Sequence, residues 1–360
     1  MFKDVHIQRF RGISDLKLDD FRRINLFVGK NNSCKTTVLE SLFILVNPTA
    51  PRLPSKTNIF RGLGEISKTT MELFFHNFDF EKKIIFETNM NKIHKTRKLS
   101  IKPVFEIGMS SDHRSNSDEG SMTDVEYFQS GSTPRFNGLT FEASFFSFDD
   151  KKATYISKLY FEGPDLKMKL PEEYKEKYSG LFLSPEFHSV NQTVTQFGNI
   201  VVEKRKDNIV RVLKQIEPSL KDLNIVFEKI FCDLDLPKML PINVMGSGIF
   251  RMLSIILAIE NSRDGVIFID EIENGLYHTS QEMMWNAIIA SAEQFNVQIF
   301  ATTHSSECIR ALSNANSQKL KNLEDDIRVY RIERQKEDFK VAKFNQDNIE
   351  IAIEKSWDIR

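Results

Sequence analysis

Nine consecutive residues, Gly29-Lys30-Asn31-Asn32-Ser33-Cys34-Lys35-Thr36-Thr37, have the spacing of a phosphate-binding loop with one substitution. The usual order is Gly, four residues, Gly, Lys, Ser/Thr, and Cys34 stands where the second Gly is expected. Backbone N–H groups of such a loop surround an anion, and the helix that follows adds its positive N-terminal dipole. Lys35 is placed to reach the β- and γ-phosphates, and the Thr36 hydroxyl to bind Mg²⁺. The ligand this chemistry takes is a magnesium nucleoside triphosphate, ATP in the simplest reading. Far downstream stands an acidic pair, Asp270-Glu271. Asp270 can hold the Mg²⁺ shell through water, and Glu271 can accept a proton from an attacking water. Alone, such a pair could be a helix N-cap; joined to a phosphate loop it reads as the second half of a hydrolytic site.

Two further segments suit that site. Thr302-Thr303-His304-Ser305 follows a buried apolar run, and His304 could hydrogen-bond a γ-phosphate and sense its loss. A lone histidine at a strand end is usually structural, but here IFIDE and IFATTH are separated by one helical segment. Met245-Gly246-Ser247-Gly248 precedes a long apolar helix, which Ser247 can cap while its N–H groups favour an anion. Glu273-Asn274-Gly275-Leu276 continues from the acidic pair and would lie beside the nucleotide.

Cys34 tests whether the loop still works. Glycine there gives close backbone access and tolerates positive φ. With negative φ a Cβ costs little; with positive φ the strain is about 1–2 kcal/mol. Either is small beside the binding energy of a magnesium nucleotide. A thiol at a helix N-terminus can also have a lowered pKa, so oxidation could block the phosphate position. The plainer alternative is a tolerated small residue.

These residues need strands and helices to hold them. Arg23 to Val28 (RINLFV) reads as a buried strand feeding the loop, and Thr36 to Val46 as the helix after it. Before them, Phe2 to Leu18 reads as two short strands around the Arg11-Gly12 turn. Asn47 to Leu63 is Pro-rich, predicting a surface loop that carries a short helix. The alternation in residues 69 to 107, including LFFHNFDF and KKIIFETNM, predicts antiparallel sheet. Ser110 to Pro134 is rich in Ser, Asp and Gly and predicts a mobile loop. Strands resume at LTFEASFFSF and TYISKLYFEG. Arg205 to Leu223 reads as helix broken at Pro218, and NIVFEKIF and PINV as strands. From Gly246 the pattern turns to α/β. It comprises a helix over Gly248 to Asn261, a buried strand over Gly265 to Asp270 and a helix over Thr279 to Glu293. A buried strand over Val297 to Ala301, a hairpin at 327–333 and 340–344, and a short helix over Ile349 to Lys355 complete it.

Composition narrows the class. The chain has 360 residues, with 49 Lys and Arg against 50 Asp and Glu, so it is not a uniformly basic nucleic-acid coat. The cysteines, Cys34, Cys232 and Cys308, are isolated and lack a CxxC pair, which argues against a disulfide framework or zinc knuckle and suits a reducing cytoplasm. No leader peptide or apolar run of membrane-spanning length is visible, so no membrane partner is expected. The 30 phenylalanines predict a large aromatic core.

The order of phosphate loop, Gly-Ser-Gly before a helix, IFIDE, ENGL and TTHS resembles the ABC-type ATPases of the SMC/RecF class. The opening VHIQRFRGISDLKL…INLFVGKNNSCKTTVLESL is most similar to the ATPase head of their overcoming-lysogenization-defect (OLD) branch. The resemblance spans nearly the whole chain and is carried by the combination of motifs. It implies an α/β fold: an ABC-type P-loop ATPase head with a mixed central sheet and an antiparallel β lobe. One head is expected over 1–360, built from two halves. Residues 1–200 hold the phosphate loop, β lobe and the loop near 110–134; residues 201–360 hold the helical segment, signature-like motif, Walker B, His switch and C-terminal hairpin. It also implies a head-to-tail homo-oligomer with composite ATP sites. Ser247 and Gly248 would then contact the γ-phosphate held by the other copy's Lys35, Glu271 would be the catalytic glutamate, and Gly275-Leu276 would belong to the D-loop at the interface. The glutamine-loop position is open between Gln192 and Gln196, and Arg11 would approach the phosphates. The region 205–245 is too short for an SMC coiled coil, and the chain ends too soon after His304 for the Toprim nuclease domain of OLD proteins.

Three functions remain open at this stage. One is a bacterial antiphage-defence ATPase that restrains or releases a separate effector, such as a nuclease or toxin. Another is a RecF-like DNA-repair ATPase, served by the basic segments Lys92 to Lys102 and Lys204 to Lys214, whose simpler reading is a solvated strand or helix face. The third is a nucleotide-binding scaffold with little turnover because of Cys34.

Overall fold

The computed structural model describes residues 1–91, 95–106, 135–149, 151–185, 190–318 and 326–359. The loop expected near 110–134 lies outside the described residues, as does Lys92 of the first basic segment. Strands β1 (Val5–Phe10) and β2 (Ile13–Leu18) pair antiparallel around Arg11-Gly12. Strand β3 (Ile24–Val28) runs into the phosphate loop and helix α1 (Lys35–Val46). Helices α2 (Arg52–Phe60) and α3 (Lys68–Glu72) follow. Next come strands β4 (Ile84–Asn89), β5 (Thr96–Glu106), β6 (Arg135–Phe146), β7 (Lys152–Glu162), β8 (Asp165–Lys169) and β9 (Gly180–Leu183). Helices α4 (Val190–Val202) and α5 (Lys206–Leu213) lead to strands β10 (Asp222–Val226), β11 (Lys229–Asp233) and β12 (Leu240–Pro241). The remainder alternates: α6 (Ser247–Asn261), β13 (Val266–Ile269), α7 (His278–Gln294), β14 (Gln298–Thr302) and α8 (Ser306–Gln318). A hairpin of β15 (Ile327–Gln335) and β16 (Asp338–Phe344) and then α9 (Gln346–Glu354) follow.

The central sheet has six strands in the order β16-β15-β3-β14-β13-β9. All its neighbours are parallel except the β15–β16 pair, so the sheet is mixed. Strands β3, β13 and β14 are buried along their whole length, as expected of parallel strands covered on both faces. The two faces differ in chemistry because side chains alternate along each strand. One face is aliphatic: Ile24, Leu26, Ile267, Ile269 and Ile299 pack with α6 and α7. The other is aromatic: Phe268 stacks on Phe300 at 5.7 Å, and Phe300 on Phe27 at 6.1 Å. That aromatic face packs on α1, whose far side meets a seven-stranded, wholly antiparallel sheet in the order β2-β1-β4-β5-β6-β7-β8. A small sheet, β10-β11-β12, stands before α6.

Helix α1 is tied at its C-terminal end by Arg97 of β5, a side chain with no solvent exposure. Its guanidinium donates to Leu45 O at 3.1 Å and Val46 O at 2.6 Å, carbonyls that the helix itself leaves unpaired. Glu176, also buried, balances its charge at 3.0 Å. The antiparallel sheet therefore holds the phosphate-loop helix directly.

Several sequence expectations are corrected. LFFHNFDF is not strand: Ser67 and Thr70 form a capping box that starts α3, and Phe74 turns inward onto Phe10. Phe74 and Phe75 are buried there, whereas Asn77 and Phe78 turn outward. Asn47 to Leu63 does carry a helix, but Pro54, Ser55, Thr57 and Asn58 are buried, so it is no surface loop. The helix expected to Leu223 ends at Leu213, and Leu223 is already in β10, paired with Cys232. Strands β8 and β9 and helices α4 and α8 were not anticipated from the sequence. Gln192 and Gln196 lie within α4, a helix ahead of α5 that the sequence reading did not anticipate.

Replacing Arg97 by Ala leaves Glu176 buried without its partner and uncaps α1. We expect the Arg97→Ala protein to lose about 3–5 kcal/mol of stability, read as an earlier urea unfolding midpoint. A midpoint unchanged from wild type would show that the sheet does not hold the helix this way.

Candidate functional site

The phosphate loop leaves β3 through Gly29, whose φ is 146°. A Cβ there would lie 2.4 Å from Ile332 O of β15, so only glycine fits beneath the loop. Asn32 and Cys34 adopt left-handed backbone with φ of 65° and 67°. Cys34 therefore occupies the strained alternative posed by the sequence. Its Sγ lies toward Gly12 and Arg334, and a Cβ on Gly12 would approach that sulfur to 3.1 Å. The β1–β2 turn thus makes room for the substitution. Burial pushes the Cys34 thiol up, outweighing the nearby cations Arg334, Arg61 and Lys35, so the lowered pKa considered from sequence is not found. Ser33 is buried, and its hydroxyl has no partner among the described residues.

Lys35 Nζ folds back over the loop, donating to Gly29 O at 2.8 Å and Lys30 O at 3.0 Å. Burial lowers its pKa, while Asp270, Glu271 and Glu273 oppose that shift. Thr36 Oγ1 is 3.0 Å from both carboxylate oxygens of Asp270, 234 positions away. Thr302 completes the junction: its hydroxyl donates to Asp270 Oδ1 at 2.6 Å and accepts from Glu271 N at 2.8 Å. Burial raises the Asp270 pKa, and the two threonine hydrogen bonds oppose it. Glu271 sits at φ 47°, and burial raises its pKa while His304 lowers it. The His304 ring is half exposed, with Nε2 3.9 Å from Glu273 Oε1.

These groups line one cavity of about 760 Å³, within the usual range for small-molecule sites. Asn31 to Thr37, Asp270, Glu271 and His304 all line it, whereas Gly29 and Lys30 shape the loop from behind. For magnesium nucleotide the donor set fits. A carboxylate and a hydroxyl already in contact, Asp270 and Thr36, are the hard oxygen ligands Mg²⁺ takes beside phosphate oxygens. The unpartnered Ser33 hydroxyl and the Lys35 ammonium face the same loop.

The remaining sequence candidates fall elsewhere. Gly248 packs on the other proposed interface residues, since a Cβ on it would meet Gly275 O at 3.0 Å and the Leu276 side chain at 3.3 Å. None of Gly248, Gly275 and Leu276 lines the phosphate cavity of its own chain. Ser247 opens α6, but its side chain lies outside the described residues, as does that of Gln192. Gln196 lines a separate cavity with Thr193 and Arg251. Arg11 does line the phosphate cavity, yet its guanidinium is engaged by Glu40 at 3.0 Å, Thr57 at 3.0 Å and Asn58 at 2.8 Å.

Sequence reading missed the groups behind the loop. Glu40 of α1 has no exposure and is clasped by Arg11 and by Arg61, whose Nε is 2.6 Å from it. Arg61 also donates to Thr37 Oγ1 at 3.1 Å and lines the cavity. Arg251 donates to Asp270 O at 2.9 Å and Ser184 O at 3.1 Å, fixing the strand end that carries the acidic pair. A signal existed for two of these: Glu40 and Arg251 are charges inside otherwise apolar helices. Nothing in the spacing marks Arg61.

The sequence matches the family described as an AAA ATPase domain over residues 1–177 and 162–309. The chain belongs to this family. This ATPase is also 22% identical over 345 residues to an "ATP/GTP phosphatase" of Helicobacter pylori, covering 89% of each chain. A segment of 68 residues is 31% identical to the DNA replication and repair protein RecF of Lactococcus lactis subsp. cremoris, covering 19% of each. Its fold is that of an SMC head solved with the C-winged helix domain of ScpA. The TM-score is 0.51 at 9% identity, covering 98% of this ATPase and 99% of that chain. Among the described residues no helix is long and apolar enough to cross a membrane.

Two outcomes follow from Cys34. Cys34→Gly and Cys34→Ala both remove the thiol, but only Ala keeps a Cβ on left-handed backbone. The Gly variant should be the more stable of the two by about 1 kcal/mol in chemical denaturation. Because the thiol is held protonated, brief peroxide treatment should leave nucleotide affinity unchanged by titration calorimetry.

Proposed function

We propose that this ATPase hydrolyses ATP at a composite site shared head to tail by two copies, and that the nucleotide-bound assembly controls a separate effector. The single observation that carries the reading is the direct Thr36–Asp270 contact inside a cavity that also holds Lys35, Glu271 and His304. In this reading residues 1–360 act as one head, since strands from both halves share the central sheet. Lys35 exchanges its carbonyl partners for β- and γ-phosphate oxygens. Thr36 and Asp270 hold Mg²⁺, which when bound neutralises charge building on the phosphate oxygens. Glu271 orients the attacking water and takes its proton. His304 hydrogen-bonds the γ-phosphate. The packed pair of Gly248 with Gly275-Leu276 lies off the chain's own cavity, which suits a role against a second copy's nucleotide, with Ser247 beside it. The effector role, a nuclease or toxin in bacterial antiphage defence within the cytoplasm, rests on the OLD-like motif order.

One observation favours a second reading, an ATPase acting on DNA. Lys102, Thr140, Lys158 and Lys169 form one cross-strand row on the antiparallel sheet, with Lys158 directly opposite Lys169. Like charges directly opposite are destabilising, and a phosphate backbone along the row would relieve the repulsion. The RecF match points the same way.

One experiment addresses both readings: phosphate release and native mass, with and without duplex DNA. Glu271→Gln should lower phosphate release by about 100-fold or more while a larger ATP-bound assembly persists. Loss of both assembly and hydrolysis in wild type would remove the composite site, and stimulation by DNA would favour the second reading. The wild-type pH profile supplies a further check. Glu271 must be ionised to act as base, and burial raises its pKa. The rate should therefore fall, as pH drops, at a value above the ordinary glutamate range.

A further inference from the structure

The cavity has two chemically distinct ends. Phosphate-loop amides occupy one wall, and the acidic pair with His304 closes one end. Past Gly12 and Arg61 the lining becomes apolar: Leu63, Leu73, Phe75 and Phe78, with Asn77 among them. Phosphates anchored at Asn31 to Thr37, with their terminal group toward Glu271, leave this apolar end for the rest of the ligand.

Phe78 is unusual within it. Its neighbours are packed away: Phe74 is fully buried, and Phe75 meets Phe80 edge-on at 5.3 Å. Phe78 is 59% exposed and, among the described residues, meets no other ring. Asn77 and Phe78 both have positive φ, 52° and 55°. Consecutive left-handed residues are uncommon, and for a bulky residue the conformation is a true outlier that surrounding structure must impose. The surroundings do impose it. His76 Nδ1 donates to Arg11 O at 2.8 Å, Arg11 N donates to Phe74 O at 2.8 Å, and Phe78 N donates to Phe75 O at 3.2 Å. The turn that displays Phe78 is thus clamped to the β1–β2 turn beside the phosphate loop. Asn77 is exposed at the same rim, and its amide has no hydrogen-bond partner among the described residues.

We propose that Phe78 is the platform on which the nucleobase stacks, with Leu63 and Leu73 flanking it and the Asn77 amide at the base edge. Phe78 is then a binding and specificity residue of the ATP site, an assignment that rests on the nucleotide reading above. An aromatic face accepts any base, but contact grows with ring area, so purine nucleotides bind more tightly than pyrimidine ones. The amide carries both a donor and an acceptor, so it can meet the edge of either purine.

The test is titration calorimetry of the full chain with magnesium ATP and, separately, magnesium tripolyphosphate, which lacks base and sugar. Wild type should bind ATP more tightly than tripolyphosphate. Phe78→Ala should weaken ATP by about tenfold, the scale of one base–aromatic stack, and leave tripolyphosphate affinity unchanged. Retained tripolyphosphate binding certifies that the variant is folded. Phe78→Trp should keep ATP affinity, and ATP but not tripolyphosphate should alter its added tryptophan emission. Equal ATP affinity in Phe78→Ala and wild type, or an ATP affinity no better than that for tripolyphosphate, overturns the assignment while leaving the phosphate site standing. Failure of wild type to bind either ligand overturns the nucleotide reading itself, and the assignment with it.

Discussion

The contact on which the rest of this molecule depends is the hydrogen bond between the Thr36 hydroxyl and the Asp270 carboxylate. It joins two residues 234 positions apart, and Thr302 holds the same carboxylate at 2.6 Å. A buried carboxylate needs donors on every side, because an unpaired one is costly away from water. Thr36 and Thr302 supply those donors from the ends of neighbouring segments. The parallel order β3-β14-β13 brings all three side chains to one edge of the sheet. Brought there, they also gather hard oxygen donors of the kind Mg²⁺ takes, so one arrangement suits both the structural requirement and the proposed chemistry.

Much of the remaining structure keeps the helix carrying Thr36 in place. Arg97 and Glu176 hold α1 at its C-terminal end. Glu40, fully buried on the same helix, is clasped by Arg11 and Arg61. Removing one partner of such a buried pair leaves an uncompensated charge, which is costly. The antiparallel sheet is therefore more than a lid over the aromatic face. It fixes the helix on which the phosphate loop stands and, through the turn at 74–78, forms the apolar end of the cavity. Cys34 fits this arrangement because Gly12, on the neighbouring turn, leaves space for its sulfur.

The sequence carried a large part of this. Strands β3, β13 and β14 are short, mostly apolar runs next to polar motifs, and their burial on both faces made them readable. The loop Gly29 to Thr37, Asp270-Glu271 and His304 were legible because their chemistry needs fixed residue types at fixed spacing. Other elements escaped: β8 and β9 are five and four residues long, too short for a period to stand out, and α4 and α8 carry an amphipathic pattern that was passed over. LFFHNFDF misled because an aromatic-rich turn, buried at Phe74 and Phe75 and exposed at Asn77 and Phe78, can alternate like a strand. Arg61 escaped because its partner, Glu40, lies on another helix and no local pattern links them.

The residues alone thus singled out a phosphate-type loop, an acidic pair and a histidine, which the structure gathers around one cavity within an α/β fold. Local spacing and burial period encode these, and both survive without knowledge of distant contacts. Only the tertiary structure decided how Cys34 is accommodated, which charges support the loop, and where the aromatic wall of the cavity comes from. Those answers depend on left-handed backbone at particular positions and on contacts between segments far apart in the chain. Such features arise when the antiparallel sheet, α1 and the central sheet close on one another.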